Sequence, residues 1–185
     1  IADWSISADN DSSGILKYLA EKYKYSSETE YHDTFLDDNK ENRQKFIKKM
    51  EALLEKRFYK QGFDEKTLEY LFKSIYEINQ RYLDYILIKD EIVLYRGVNE
   101  NFFSARNILP KEFPEQGDLL FNSVSSWSDS KEIAESIGDF IFEIKCKKED
   151  ILFGKDLMKL GSHLEEREFV VLGGTFQYKL SSSLF

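Results

Sequence analysis

The chain has 185 residues, of which 42% are hydrophobic, 15% aromatic and 32% charged, a balance that suits one large globular domain or two small ones. Lys and Arg total 26 against 34 Asp and Glu, and the resulting net charge of −8 disfavours general nucleic-acid binding. One cysteine, Cys146, excludes an internal disulfide framework, and His32 and His163 stand far apart with no second ligand spaced around them, which argues against a zinc site.

Folding at this length removes about 70% of the unfolded chain's surface from water, so a core needs no staples. No apolar run nears the roughly 20 residues that span a bilayer, so no integral membrane segment is expected. The opening Ile1-Ala2-Asp3-Trp4 carries neither a basic nor an apolar targeting region. A chain that starts at Ile reads as an excised or processed form, from which such a signal can have been removed.

From Gly14 to Ile88 there is no proline and a helical period recurs. Ser12 and Ser13 are placed to cap a first helix carrying Ile15, Leu16, Leu19 and Tyr23. The polar, acidic stretch from Tyr31 to Asn39 reads as a loop. Phe46, Ile47, Met50, Leu53, Leu54 and Phe58 predict a second, amphipathic helix ending before Gly62. Asp64 with Thr67 reads as the cap of a third, with Leu68, Leu71, Phe72, Ile75, Ile78 and Leu83 along it. The basic run from Lys40 to Lys60 reads as a solvated helix face, with docking on an acidic partner or anionic lipid as the alternative.

After Lys89-Asp90 the pattern changes to short apolar runs between loops. Ile92-Val93-Leu94-Tyr95 reads as a buried strand, and Asn107 to Asp118 as a turn-rich connection. Leu119 to Ser125 is a candidate strand, and Ser130 to Ile137 a short helix with Ala134 and Ile137 inward. Phe140 to Cys146 alternates as a strand, Glu168 to Leu172 is another, and Phe176 to Leu180 closes the series after a Gly173-Gly174 turn. The fold class expected is α+β: an N-terminal helical region over 1–88 and a mixed β-sandwich over 89–185.

Three segments of the second half carry chemistry. Arg96, ending a strand beside Gly97, offers a rigid fork for phosphate or carboxylate, and the glycine allows close approach to the backbone. Ser123, Ser125, Ser126 and Ser128 line a serine-rich stretch whose alternation sets hydroxyls on one face, where they can orient a carboxylate or a ligand hydroxyl. Glu166 and Glu168, two apart in a strand, point the same way about 7 Å apart and can together stabilise a developing cation and position a nucleophile. Each has a bland alternative: a surface arginine, a polar strand, a solvated rim.

Taken in order, Arg-Gly, a Ser-x-Ser segment before a helix, and Glu-x-Glu opening a strand–glycine–strand hairpin resemble the arginine-serine-glutamate class of mono-ADP-ribosyltransferases, whose members include bacterial toxins, secreted effectors and phage proteins. The resemblance covers roughly residues 91–180. It implies an NAD-binding core with NAD as substrate and no metal, and a target protein modified on arginine. Arg96 would hold the NAD phosphates and Gly97 would lend backbone contacts near the nicotinamide. Ser126 is the preferred motif serine, with Ser123 as the fallback and Ser128 completing Ser-Trp-Ser, where Trp127 departs from the usual central threonine. Glu168 would be the catalytic glutamate, Glu166 the acidic residue facing the acceptor, and Lys155 to Glu165 the segment that meets the target. The rival expectations are an NAD glycohydrolase and a degenerate binding module in which Trp127 has cost activity.

Overall fold

The structure, a computed structural model, describes residues 11–25, 40–87, 89–104, 108–121, 124–154 and 168–182. The expected loop at 31–39, Ser123, Glu166, His32, His163 and the segment 155–165 lie outside the described residues.

Three helices come first: α1 (Asp11–Lys22), α2 (Lys40–Arg57) and α3 (Glu65–Ile86). α1 begins one residue before the serines expected to cap it, so Ser12 and Ser13 lie inside its first turn. α2 buries Phe46, Met50 and Leu54 as its period requires. In α3 the pattern is shifted: Leu68, Phe72 and Leu83 are buried, but Leu71 and Ile78 face outward and the buried place beside Ile78 belongs to Asn79.

Asp64 caps α3, its Oδ1 accepting the Thr67 hydroxyl at 2.6 Å and the Thr67 N–H at 2.8 Å. These bonds hold its carboxyl below the usual carboxylate range. A folded-state pKa lowered in this way contributes stability above the unfolded value and loses it as pH falls through the folded one. Asp64→Ala is therefore expected to lower Tm at neutral pH, with the gap to wild type closing in acid. Thermal unfolding followed from about pH 7 to about pH 2 checks both the sign and the closure.

The second half contributes β1 (Glu91–Val98), α4 (Glu100–Ser104), β2 (Gln116–Phe121), β3 (Ser125–Ser128), α5 (Lys131–Ile137), β4 (Phe140–Lys147), β5 (Ile151–Phe153), β6 (Glu168–Val171) and β7 (Gly174–Ser182). The described strands form one seven-stranded sheet, ordered β2-β7-β4-β1-β3-β6-β5, with every pairing antiparallel. Among the described residues this single antiparallel sheet stands where the sequence led to a mixed β-sandwich. The expected strand from Leu119 to Ser125 is two strands, β2 and β3, broken at Val124, whose φ of 57° is strained for a β-branched residue.

Aromatic rings interlock in the cluster on one face of the sheet. Phe103 of α4 meets Phe140 at 4.7 Å between ring centroids, Phe121 meets Trp127 at 5.0 Å, and Phe142 meets Tyr178 at 5.3 Å. A second cluster joins α1, α2 and α3 to Val124, Leu152, Phe153, Val170 and Leu172. Among the described residues, no helix is long and apolar enough to cross a membrane.

Candidate active site

β1, β3 and β6 lie side by side, and their registers align Tyr95 with Ser128 and Ser128 with Glu168. Directly opposed residues share a face, so Tyr95, Ser128 and Glu168 form one row, and the two-residue period adds Gly97 and Ser126 to that face. The row opens into a cleft of about 150 Å³ bordered also by Arg96 and Trp127 and closed on one side by Ile133, Ala134 and Ile137 of α5. Thus Arg96, Gly97, Ser126, Ser128 and Glu168 come together across three strands, while Ser123 and Glu166 lie outside the described residues.

The central contact is a hydrogen bond from Ser126 Oγ to Glu168 Oε1, both side chains half-buried. It turns one carboxylate oxygen toward β3 and fixes the orientation of the other. Ser128 has a local duty as well: its Oγ accepts the Ser130 N–H at 3.1 Å, and Ser130 caps α5 by accepting the Ile133 N–H at 3.3 Å. The pair shapes the turn that brings α5 over the sheet.

That approach is close. A Cβ on Gly97 would lie 2.0 Å from the Ala134 carbonyl oxygen, and one on Gly138 would lie 2.4 Å from that of Val98. The group that takes advantage of the bare Gly97 backbone is therefore α5, which crosses β1 in direct backbone contact. Ala134 is buried there, whereas Ile137, expected inward, is 66% exposed at the mouth of the cleft.

Trp127 sits on the opposite side of β3 from Ser126. Its indole is 2% exposed, and its Nε1–H donates to Ser125 Oγ at 2.9 Å. The Arg96 guanidinium lies 6.0 Å from the indole centroid, at the outer limit of a cation–π contact. Cys146 is fully buried, and burial pushes its thiol far above the usual range, so it is inert as a nucleophile. Among the described residues, no group of three or more His, Cys, Asp or Glu is placed to hold a metal ion.

Tyr95, Ile133, Ile137 and Gly138 were not singled out as site-forming by sequence reasoning. The available signals were the aromatic residue preceding Arg96, the i, i+4 isoleucine pair after the serine stretch, and a glycine just beyond that helix.

Family comparison gives the class: the chain matches a family model of ADP-ribosyltransferases. It belongs to the dinitrogenase reductase ADP-ribosyltransferase family, whose model matches residues 1–180, helices included. Over 90 residues it is 29% identical to the NAD(+)–dinitrogen-reductase ADP-D-ribosyltransferase of Rhodospirillum rubrum, covering 49% of this chain and 32% of that protein. The match thus spans about a third of the length of that relative. No solved structure matches the chain.

Proposed function

We propose that this protein transfers ADP-ribose from NAD to an arginine of a target protein, with release of nicotinamide, through a core formed by residues 89–185. The observation that carries the reading is the Ser126–Glu168 hydrogen bond inside a cleft that Arg96 also borders. The cleft is smaller than the roughly 300–1,000 Å³ that encloses a whole drug-sized ligand, so it suits the reacting end of a dinucleotide, with the remainder lying across the open surface.

The chemistry follows from the bond broken. Nicotinamide leaves with the electron pair of its glycosidic bond and loses its positive charge in doing so, so the leaving nitrogen needs no acid. Positive charge develops on the ribose, and the Glu168 carboxylate, held by Ser126, stabilises it through a ribose hydroxyl. Arg96 binds the phosphates, with Gly97 and Ser128 completing the wall. A guanidine nitrogen of the acceptor bonds to the anomeric carbon and gives up a proton, assisted by Glu166. The arginine-serine-glutamate assignment, with Ser126 rather than Ser123 as its serine, is supported by this bond. Trp127 is buried, with its indole N–H bonded to Ser125 Oγ, which supports reading it as a packing residue at the base of the cleft rather than as a loss of the motif.

The test is NAD turnover by the full chain with agmatine, an arginine-rich protein or dinitrogenase reductase, the last being the target named in the relative's description. Nicotinamide release with ADP-ribose appearing on an acceptor is the expected result; release with all ADP-ribose on water would make the protein a glycohydrolase. Glu166→Gln is expected to lower transfer about a hundredfold while hydrolysis falls less than about fivefold, because only the acceptor needs a general base. Equal losses in the two assays would remove Glu166 from the acceptor's side.

A further inference from the structure

β5 is the outermost strand of the sheet on its side: it pairs with β6, and with no other strand among the described residues. Its register slips between Ile151 and Phe153. Yet Ile151, Leu152 and Phe153 are all buried, so the backbone groups on its outer edge cannot turn to water. A buried N–H or C=O left without a partner is costly, so such groups are paired in folded proteins.

α3 supplies the partners. Asn79, fully buried, donates its amide N–H to the Ile151 carbonyl at 3.0 Å and accepts the Gly154 N–H on Oδ1 at 2.9 Å. Gln80 donates to the carbonyls of Ile151 at 2.9 Å and Lys148 at 3.0 Å, and the Tyr76 hydroxyl donates to that of Glu149 at 2.8 Å. A helix stands where an eighth strand would, and it holds the edge through side-chain amides. Gly154 leaves room for this, since a Cβ there would come within 3.1 Å of Leu83.

What hangs on that edge is β6. Ile151 opposes Val171, Phe153 opposes Val170, and the Leu172 N–H bonds to the Asp150 carbonyl at 2.7 Å. β6 opens with Glu168, so the carboxylate's strand is held by β3 on one side and, on the other, by an edge whose place α3 sets. We propose that Asn79 is a positioning residue for Glu168, which makes the N-terminal helices a working part of the catalytic cleft. The inference rests on the reading of Glu168 given above.

The test uses the full chain, with NAD as substrate. Asn79→Leu keeps the branched outline of the side chain, at a larger volume, and removes both bonds. Leu68→Ala, which opens a cavity on the same helix away from the clamp, controls for lost stability. Nicotinamide release is compared per folded molecule, at a temperature where both variants are folded by circular dichroism, and amide hydrogen exchange is followed at Phe169, Val170 and Val171. A misplacement of about 1 Å can cost about a hundredfold in rate, so a loosened edge is expected to lower kcat about tenfold in Asn79→Leu with KM for NAD within about twofold, and to speed β6 exchange. Leu68→Ala is expected to keep kcat within about twofold despite its lower Tm.

Should Asn79→Leu fail to fold, Asn79→Asp reads the same bond. The ionised carboxylate accepts from Gly154 but cannot donate to Ile151, and protonation restores the donor. Its kcat relative to wild type is therefore expected to rise as pH falls. The titratable groups at the seam, Tyr76, Asp84, Lys148, Glu149 and Asp150, are common to both proteins and cancel in the ratio. A flat ratio, or an Asn79→Leu variant whose kcat and β6 exchange match Leu68→Ala, overturns the positioning role. A wild type that releases no nicotinamide sinks the reading of Glu168 and the catalytic role of Asn79 together, whereas turnover retained in both wild type and Asn79→Leu sinks only the latter.

Discussion

Glu168→Gln is expected to lower nicotinamide release about a thousandfold, a loss of about 4 kcal/mol of transition-state stabilisation, with KM for NAD changed far less. Glutamine keeps the shape of the side chain and still accepts the Ser126 hydroxyl, so the variant isolates the negative charge from the hydrogen bond. The charge matters because the substrate sugar has no positive charge to meet in the ground state and acquires one as the glycosidic bond stretches. Ser126→Ala is expected to cost less, about tenfold to fiftyfold, since it frees the carboxylate to rotate without removing it. The two changes act on one unit, so the double variant is expected to be scarcely worse than Glu168→Gln alone. Single-turnover nicotinamide release from NAD, with folding checked by circular dichroism, separates these cases. A Glu168→Gln variant keeping more than about a tenth of the wild-type rate would move the reactive carboxylate elsewhere.

What the sequence revealed and what it hid divide along a physical line. Period and caps report on local burial, and they located α2, the start of α3 at Asp64 and the strand at Phe140. They do not report what a neighbouring element demands. Hydrophobicity gave the inward place on α3 to Ile78, but the unpaired edge of β5 requires an amide, and Asn79 takes it. α4 went unseen because five residues make too little period to detect, although its Phe103 sits in the ring cluster. β5, at three residues, failed for the same reason. At the site, motif order brought Ser126 and Glu168 to attention, and the fold joins them across 42 positions. The register that sets Tyr95, Ser128 and Glu168 in a row is a property of three strands at once, which no single segment encodes. Trp127 shows the converse: strand alternation sends the unusual residue of the motif into the core, a placement that the motif pattern alone does not reveal.

The sharpest steric demand in the cleft lies at Gly97. Gly97→Ala is expected to destabilise the protein by about 3 kcal/mol or more, near the upper range for overpacking, and so to lower Tm by about 10 °C for a chain of this size. The obstacle to the new methyl group is the Ala134 carbonyl oxygen at 2.0 Å, a backbone atom that no rotamer change can move aside. α5 must lift instead, and it carries Ile133 and Ile137, which wall the cleft opposite Glu168. Activity is therefore expected to fall further than the loss of folded protein explains. Gly138→Ala pushes the same helix off the same strand from the other side, with its Cβ 2.4 Å from the Val98 carbonyl oxygen. Once α5 has lifted for one alanine it has partly made room for the other, so the double variant is expected to be less destabilised than the two losses added. Thermal unfolding of the four proteins, together with NAD turnover per folded molecule, decides the point. Full additivity would mean that each glycine answers to a separate local clash, and a near-wild-type Gly97→Ala would mean that α5 does not cross β1 at this distance.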